Sequence, residues 1–177
     1  MENKAAPAWK KVYSFKTDLN RGRIGELAML HASNGTLDPL DGRQADMRIT
    51  KSSKTVELKT DFYDHGNTQN FFMEYGSHGK KLGGPWRSLE EGTDYFIYAF
   101  PNPGFVYIFE TTVLVDRLNL LKNEFPLTEV FNVGYTTTGY KIPRKLILDL
   151  DIEPAKVGIE VDMQKYVDFI NWNKAEP

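Results

Sequence analysis

The chain reads as a mixed α/β domain with one central β-sheet flanked by helices. Three observations predict this. Residues 18–32 repeat apolar side chains near a 3.6-residue period. Residues 45–50 and 55–62 alternate apolar and polar side chains with a period of two. Residues 94–100 and 105–110 are mainly apolar and aromatic and are split by "PNPG", the pattern of a buried hairpin. Helix, alternating strands and buried strands in this order make a sheet covered by helices.

The composition sets the outer bounds. A chain of 177 residues is long enough for one domain with a real core. It has no cysteine, so disulfides and thiolate metal sites are excluded. A net charge of −2 argues against a uniformly basic nucleic-acid coat, though not against a local one. No apolar run approaches the roughly 20 residues of a membrane span, and "MENKAAPAWKKVYSF" has no apolar signal core. A cytoplasmic setting is expected.

The elements follow in order. Residues 1–17 are expected to form a flexible basic arm. Within the first 24 residues, Lys4, Lys10, Lys11, Lys16, Arg21 and Arg23 meet only Glu2 and Asp18, with Trp9, Tyr13 and Phe15 between the charges. Such a mixture suits phosphate and base contacts; it also describes a solvated terminal arm. In the first helix, 18–32, Ile24, Leu27, Ala28, Leu30 and His31 supply the period. Asp18 is placed to cap its start and Gly35 to end it in a left-handed turn. Glu26 leans to one side of the Leu27/Leu30 stripe. "TLDPLDGRQ" reads as a loop on its Pro39 and Gly42.

Strands 45–50 and 55–62 are joined by "KSSK", a connector of hairpin length. A third strand at 70–76 completes a meander. "GSHGKKLGGP", 76–85, reads as a loop, and "WRSLEEG" as a short helical turn or two. Residues 111–124 carry Leu114, Leu118 and Leu121 at helical spacing, behind Thr111 or Thr112 as cap. Residues 18–124 thus form the core. Residues 125–177 are an appended piece packed on it, with strands in "YKIPRKLILDLD" and "KVGIEVD" and a closing helix at 163–172.

The chemistry gathers around "TVELKTD", residues 55–61. Strand alternation puts Thr55, Glu57, Lys59 and Asp61 on one face and Val56, Leu58, Thr60 and Phe62 on the other. A Glu-X-Lys alone is most often a solvated ion pair worth about 0–1 kcal/mol. Here the hairpin brings Asp46 to the Glu57/Lys59 face, and the first helix offers Glu26 toward the same edge. Close carboxylates repel one another, and a divalent cation removes that penalty. Mg²⁺ prefers carboxylate, carbonyl and water oxygens. Asp46, Glu57 and the backbone carbonyl of Leu58 are therefore the candidate ligands, with Lys59 beside the water that such an ion acidifies.

Ala45-Asp46, a hairpin, then Glu57-Leu58-Lys59, preceded by Glu26 on the helix "RGRIGELAMLH", resembles the signature of the PD-(D/E)XK nuclease superfamily. "NFFMEYGSHGKKLGG" and "TDYFIYAF" are similar to further core strands of its small phage and restriction-type members. The resemblance covers roughly residues 18–124. Ala45 stands where these proteins usually carry a proline that shapes the turn and ligates nothing. The resemblance implies a restriction-endonuclease-like core and a Mg²⁺-dependent deoxyribonuclease, with Mn²⁺ as substitute, that leaves a 5′-phosphate. It implies that Asp46 holds one or two metals, Glu57 the first, and Glu26 a second directly or through water. Lys59 serves the nucleophilic water. The implied substrate is duplex or branched DNA, and the implied compartment is the cytoplasm, the host's for a phage-encoded member. The "RG" and Glu26 opening the helix resemble junction-resolving relatives that act as homodimers.

Around this centre, Lys80 and Lys81 in the Gly-rich loop, with Arg21 and Arg23, are the candidate nucleic-acid contacts. Glu74 reads either as support for a metal or water, or as a rim ion pair with a lysine or arginine. Two other functions fit less of the pattern. One is a non-cleaving nucleic-acid-binding protein on a nuclease scaffold, and the other a metal-free interaction domain.

Overall fold

The computed structural model describes residues 15–41, 45–63, 66–77, 81–101, 104–132, 135–148, 164, 165 and 168. The first helix, α1 (Phe15–Ala32), begins three residues before the expected start, so Asp18 lies inside it. It ends as expected, with Asn34 and Gly35 both at positive φ (51° and 80°).

Next come β1 (Leu37–Pro39), β2 (Met47–Ile49) and β3 (Thr55–Thr60). β1 falls where a loop was expected. It pairs antiparallel with β2, Leu37 against Ile49. β2 and β3 form the predicted hairpin, with Met47 opposite Val56 and Arg48 opposite Thr55. Ser53 takes the tight position of the turn at φ 57°.

Beyond β3 the expected single sheet gives way to two. β4 (Asn70–Ser77) does not continue the meander. After the two-residue β5 (Lys81–Leu82) and helix α2 (Gly84–Glu90), the chain returns as β6 (Tyr95–Phe100). It is β6 that lies beside β3, in parallel, from Val56 against Tyr95 to Thr60 against Ala99. A parallel neighbour needs a crossover of this kind. β7 (Phe105–Glu110) pairs antiparallel with β6 as the predicted hairpin, although as an edge strand it is only partly buried. The first sheet is thus ordered β1-β2-β3-β6-β7.

Helix α3 (Thr111–Leu121) and a 3₁₀ turn (Lys122–Glu124) match the expected helix, although its N-cap is Glu110. β8 (Leu127–Asn132), which no sequence pattern announced, and β9 (Tyr135–Pro143) then build a second sheet, β5-β4-β9-β8. The residues expected as an appended piece therefore supply half of that sheet. In the described part of "YKIPRKLILDLD", residues 140–148, the first four residues end β9 and α4 (Arg144–Leu148) follows. The predicted strand at 156–162 lies outside the described residues. Of the closing helix, positions 164, 165 and 168 are described, and all three are helical.

Strand β6 explains the layering. All six of its residues are buried. Tyr95, Ile97 and Ala99 pack with Ala28, Met29 and Ala32 of α1 and with Met47 and Val56. Phe96, Tyr98 and Phe100 pack the other way, against Phe71 and Met73 of β4, Trp86 of α2, Phe109, and Leu114 and Leu118 of α3. A central strand covered on both faces loses its polar alternation. Because β3 pairs in register with β6, Val56 and Leu58 join the α1 side. Glu57 and Lys59, opposite Phe96 and Tyr98, share the side covered by β4 and α2.

Candidate metal and phosphate site

Asp46 sits immediately before β2. Its backbone N–H donates to the Val56 carbonyl at 3.1 Å, and its Oδ2 accepts the Leu58 N–H at 2.8 Å. The carboxylate is thereby fastened to the middle of the Glu57-Leu58-Lys59 stretch. In an extended strand the N–H and C=O of one residue point to the same edge. The Leu58 carbonyl therefore faces the gap beside Asp46, past the start of β2.

The expected acidic residues influence one another electrostatically. Burial, and then the Asp46 charge, pushes the Glu57 carboxyl up to about 8, with Glu91 and Glu26 adding to the rise and Arg87 opposing it. Asp46 is raised chiefly by burial, against the lowering effects of the Leu58 N–H and Arg87. Glu26 is raised by burial and then by Asp46, with Arg23 opposing. Helix α1 comes close to β3 because Gly25 has no side chain: a Cβ there would overlap the Thr60 hydroxyl. Glu26 is the next residue. Among the described residues no three acidic or histidine side chains are grouped tightly enough to hold one metal ion. Glu26 thus stands near the Asp46–Glu57 pair without completing a three-carboxylate ligand set.

Lys59 does not pair with Glu57. Its ammonium lies 3.9 Å from Oε2 of Glu74 on β4, so Glu74 takes the ion-pair role rather than joining the acidic pair. Asp61, just past β3, accepts the Tyr98 hydroxyl at 2.5 Å and the Tyr63 N–H at 3.0 Å. Of the phosphate-contact candidates, Arg23 is exposed on α1 and Lys81 is exposed on β5. Lys80 and the side chain of Arg21 lie outside the described residues.

Helix α2, expected only as a short helical turn or two, contributes a pair of charges. Arg87 Nε donates to Glu91 Oε1 at 3.0 Å, an i,i+4 pair. Both residues act on Glu57, and Arg87 also on Asp46. Their spacing in "RSLEE" was a legible signal for a pair, but only the crossover lays that pair over the acids. The result is a pair of raised carboxyls, Asp46 and Glu57, the charge of the first adding to the rise of the second, within electrostatic reach of the Arg87 guanidinium and on the β3 face that carries the Lys59 ammonium. A divalent cation suits that donor chemistry, since Mg²⁺ takes one or two carboxylates and keeps several waters. No family model matches the chain, and no curated protein or solved structure is significantly similar to it.

Proposed function

We propose that this protein is a divalent-metal-dependent DNA nuclease with a restriction-endonuclease-like core, working as an endonuclease on duplex or branched DNA. The observation that carries the reading is the 2.8 Å hydrogen bond between Asp46 and the Leu58 N–H. It ties the aspartate just ahead of β2 to the Glu-X-Lys of the neighbouring strand β3. The order of elements supports it as well: a helix bearing Glu26, a hairpin bearing Asp46 and Glu57, then a helix and a strand parallel to the Glu-X-Lys strand.

Asp46, Glu57 and the Leu58 carbonyl would hold Mg²⁺ or Mn²⁺, with Glu26 reaching it through water. Such an ion supplies Lewis-acid polarisation of a phosphate oxygen and acidifies a bound water. Lys59 offers its ammonium hydrogens to the attacking water or to a non-bridging phosphate oxygen, stabilising charge as it builds. The water oxygen forms the new bond to phosphorus and gives up a proton to solvent. The bond to the 3′ oxygen breaks, and that oxygen takes a proton from solvent. The products are a 5′-phosphate and a 3′-hydroxyl. Arg23 and Lys81 would bind the flanking phosphates.

The test is incubation with supercoiled plasmid, and separately with a four-way junction, in Mg²⁺, Mn²⁺ and EDTA. Cutting that EDTA stops and Lys59→Ala abolishes is the expected result. Band shifts without cutting would instead mark a non-cleaving binder. An absence of both binding and cutting would overturn any nucleic-acid role.

A further inference from the structure

We infer that Glu74 is the positioning residue for Lys59, and that the Gly83–Gly84 pair at the start of α2 is the seat that fixes it. This rests on the nuclease reading above. The Lys59–Glu74 pair spans the two sheets, from β3 of the first to β4 of the second. Its side chains are 39% and 24% exposed. A pair so open to water contributes about 0–1 kcal/mol, so stability does not explain it. Direction does, because a lysine ammonium sits on a flexible four-carbon stem.

The backbone around Glu74 is shaped closely to its side chain. The register of β4 against β9 shifts between Glu74 and Gly76, the kind of irregularity that re-aims a side chain. The Gly83 N–H donates to the Tyr75 carbonyl at 3.0 Å, bringing the start of α2 down onto β4. A Cβ on Gly83 would lie 2.8 Å from both Cγ and Oε1 of Glu74. A Cβ on Gly84 would lie 2.7 Å from the Glu74 carbonyl oxygen, and Gly84 has a φ of +48° that other residues rarely adopt. The Glu74 side chain therefore runs flat along backbone that has no side chains of its own.

Lys59 is tied into the same junction from its own side. It is the register partner of Tyr98, whose hydroxyl donates to Asp61 at 2.5 Å and accepts the Phe72 N–H at 3.2 Å. That hydroxyl bolts β4 to the end of β3. With Glu74 at 3.9 Å on one side, the ammonium keeps hydrogens for a water or phosphate oxygen on the other.

Gly83→Ala displaces the Glu74 carboxylate without changing any charge, and Glu74→Gln removes the charge without changing the shape. Each should lower kcat on plasmid by about 10–100-fold, the scale of a small misplacement. KM and calorimetric Mn²⁺ affinity should stay within about two-fold, since neither ground-state binding nor the metal is touched. In the full chain without metal or DNA, the ¹³C-methyl resonance of reductively methylated Lys59 should narrow in both variants as the side chain gains freedom. Unchanged kcat and an unchanged Lys59 resonance would overturn the inference. So would a fall in kcat accompanied by lost Mn²⁺ affinity, which would make Glu74 a metal ligand. If Gly83→Ala does not fold, Glu74→Gln decides alone. A parent protein that cuts neither substrate, while the Lys59 resonance still responds to Glu74→Gln, overturns the nuclease reading and leaves the positioning intact.

Discussion

Strands β3 and β6 lie side by side, run the same way and pair residue for residue, yet they carry opposite chemistry on one shared face. On β6 that face is Phe96, Tyr98 and Phe100, all buried in the aromatic core between the sheets. On β3 it is Glu57 and Lys59. Burying a leucine at either position would add about 1.5–3 kcal/mol to the fold. The chain instead places there an acid that burial and Asp46 push up to about 8. The other face of β3, Val56 and Leu58, packs on α1 as any strand would. A sheet that breaks its packing rule on half of one strand, beside a neighbour that keeps it, is the pattern the proposed nuclease reading requires, with stability given up for chemistry.

The strongest way to sharpen that contrast is Asp46→Asn. Asparagine keeps an oxygen for the Leu58 N–H but loses the charge. Cutting should fall by about 10³-fold or more, the scale of losing a principal electrostatic group. Thermal stability should hold or rise, because the deleted charge was one that Glu57 resisted. Plasmid nicking and a melting curve check both parts. Mn²⁺ binding as tight as the parent's would refute the ligand assignment.

The polar half of this contrast was legible in the sequence, and much of its setting was not. Period-two alternation gave the faces of β3, and the four-residue connector brought Asp46 to it, because both are local. The choice of β6 as the neighbour of β3, and the loss of β4 to a second sheet, were not legible. Alternation fixes which face a residue takes and says nothing of which strand lies alongside. β8 went unread although Pro126 and Asn132-Val133-Gly134 bracket it, because it sits at an edge where its large apolar residues Leu127 and Phe131 remain exposed, so its pattern names no buried face. Arg87 and Glu91 were visible as an i,i+4 pair, but their bearing on Glu57 arises from a crossover that no local pattern specifies.

Tyr98→Phe probes the β6 side of the comparison. Tyr98 is fully buried, and its hydroxyl is the polar tip on an otherwise aromatic face. Its removal leaves the Phe72 N–H and the Asp61 carboxylate short of a partner. The expected cost is about 2–3 kcal/mol, the price of stranding buried polar groups, read as a lower urea midpoint at unchanged m-value. A loss much below 1 kcal/mol would show that this tie between the sheets carries little weight.

Glu57→Gln tests the β3 side through pH. A carboxyl raised from 4.5 to about 8 in the folded protein binds its proton more tightly there than in the unfolded chain. Its contribution to stability is therefore complete below pH 4.5 and lost as pH rises through about 8. Without metal, the parent should lose stability over that window. Glu57→Gln should match it at low pH and exceed it at the upper end; the full shift would be worth roughly 5 kcal/mol, and water reaching the half-buried carboxyl holds the difference to about 2 kcal/mol, or roughly 4–8 °C in Tm. Adding Mg²⁺ should flatten the parent's slope. A parent whose metal-free Tm is level across this range would remove the case for a strained acid.

Arg87→Gln should have the smallest effect and separates buried charge from exposed charge. Arg87 favours the ionised forms of Asp46 and Glu57, so its loss should lower metal-free stability at pH 8. Its side chain is 49% exposed, and solvent screening holds the expected loss to about 0.5 kcal/mol. Salt decides the matter. Interactions of exposed charges fade once the Debye length shrinks to a few ångströms, about 3 Å at 1 M, whereas the cost of burying the Glu57 carboxylate does not depend on a distant partner. The Arg87→Gln difference should therefore vanish in 1 M NaCl while the Glu57→Gln difference persists. If the two fade together, what strains Glu57 is its charged surroundings rather than burial, and the contrast between β3 and β6 is one of neighbours and not of depth.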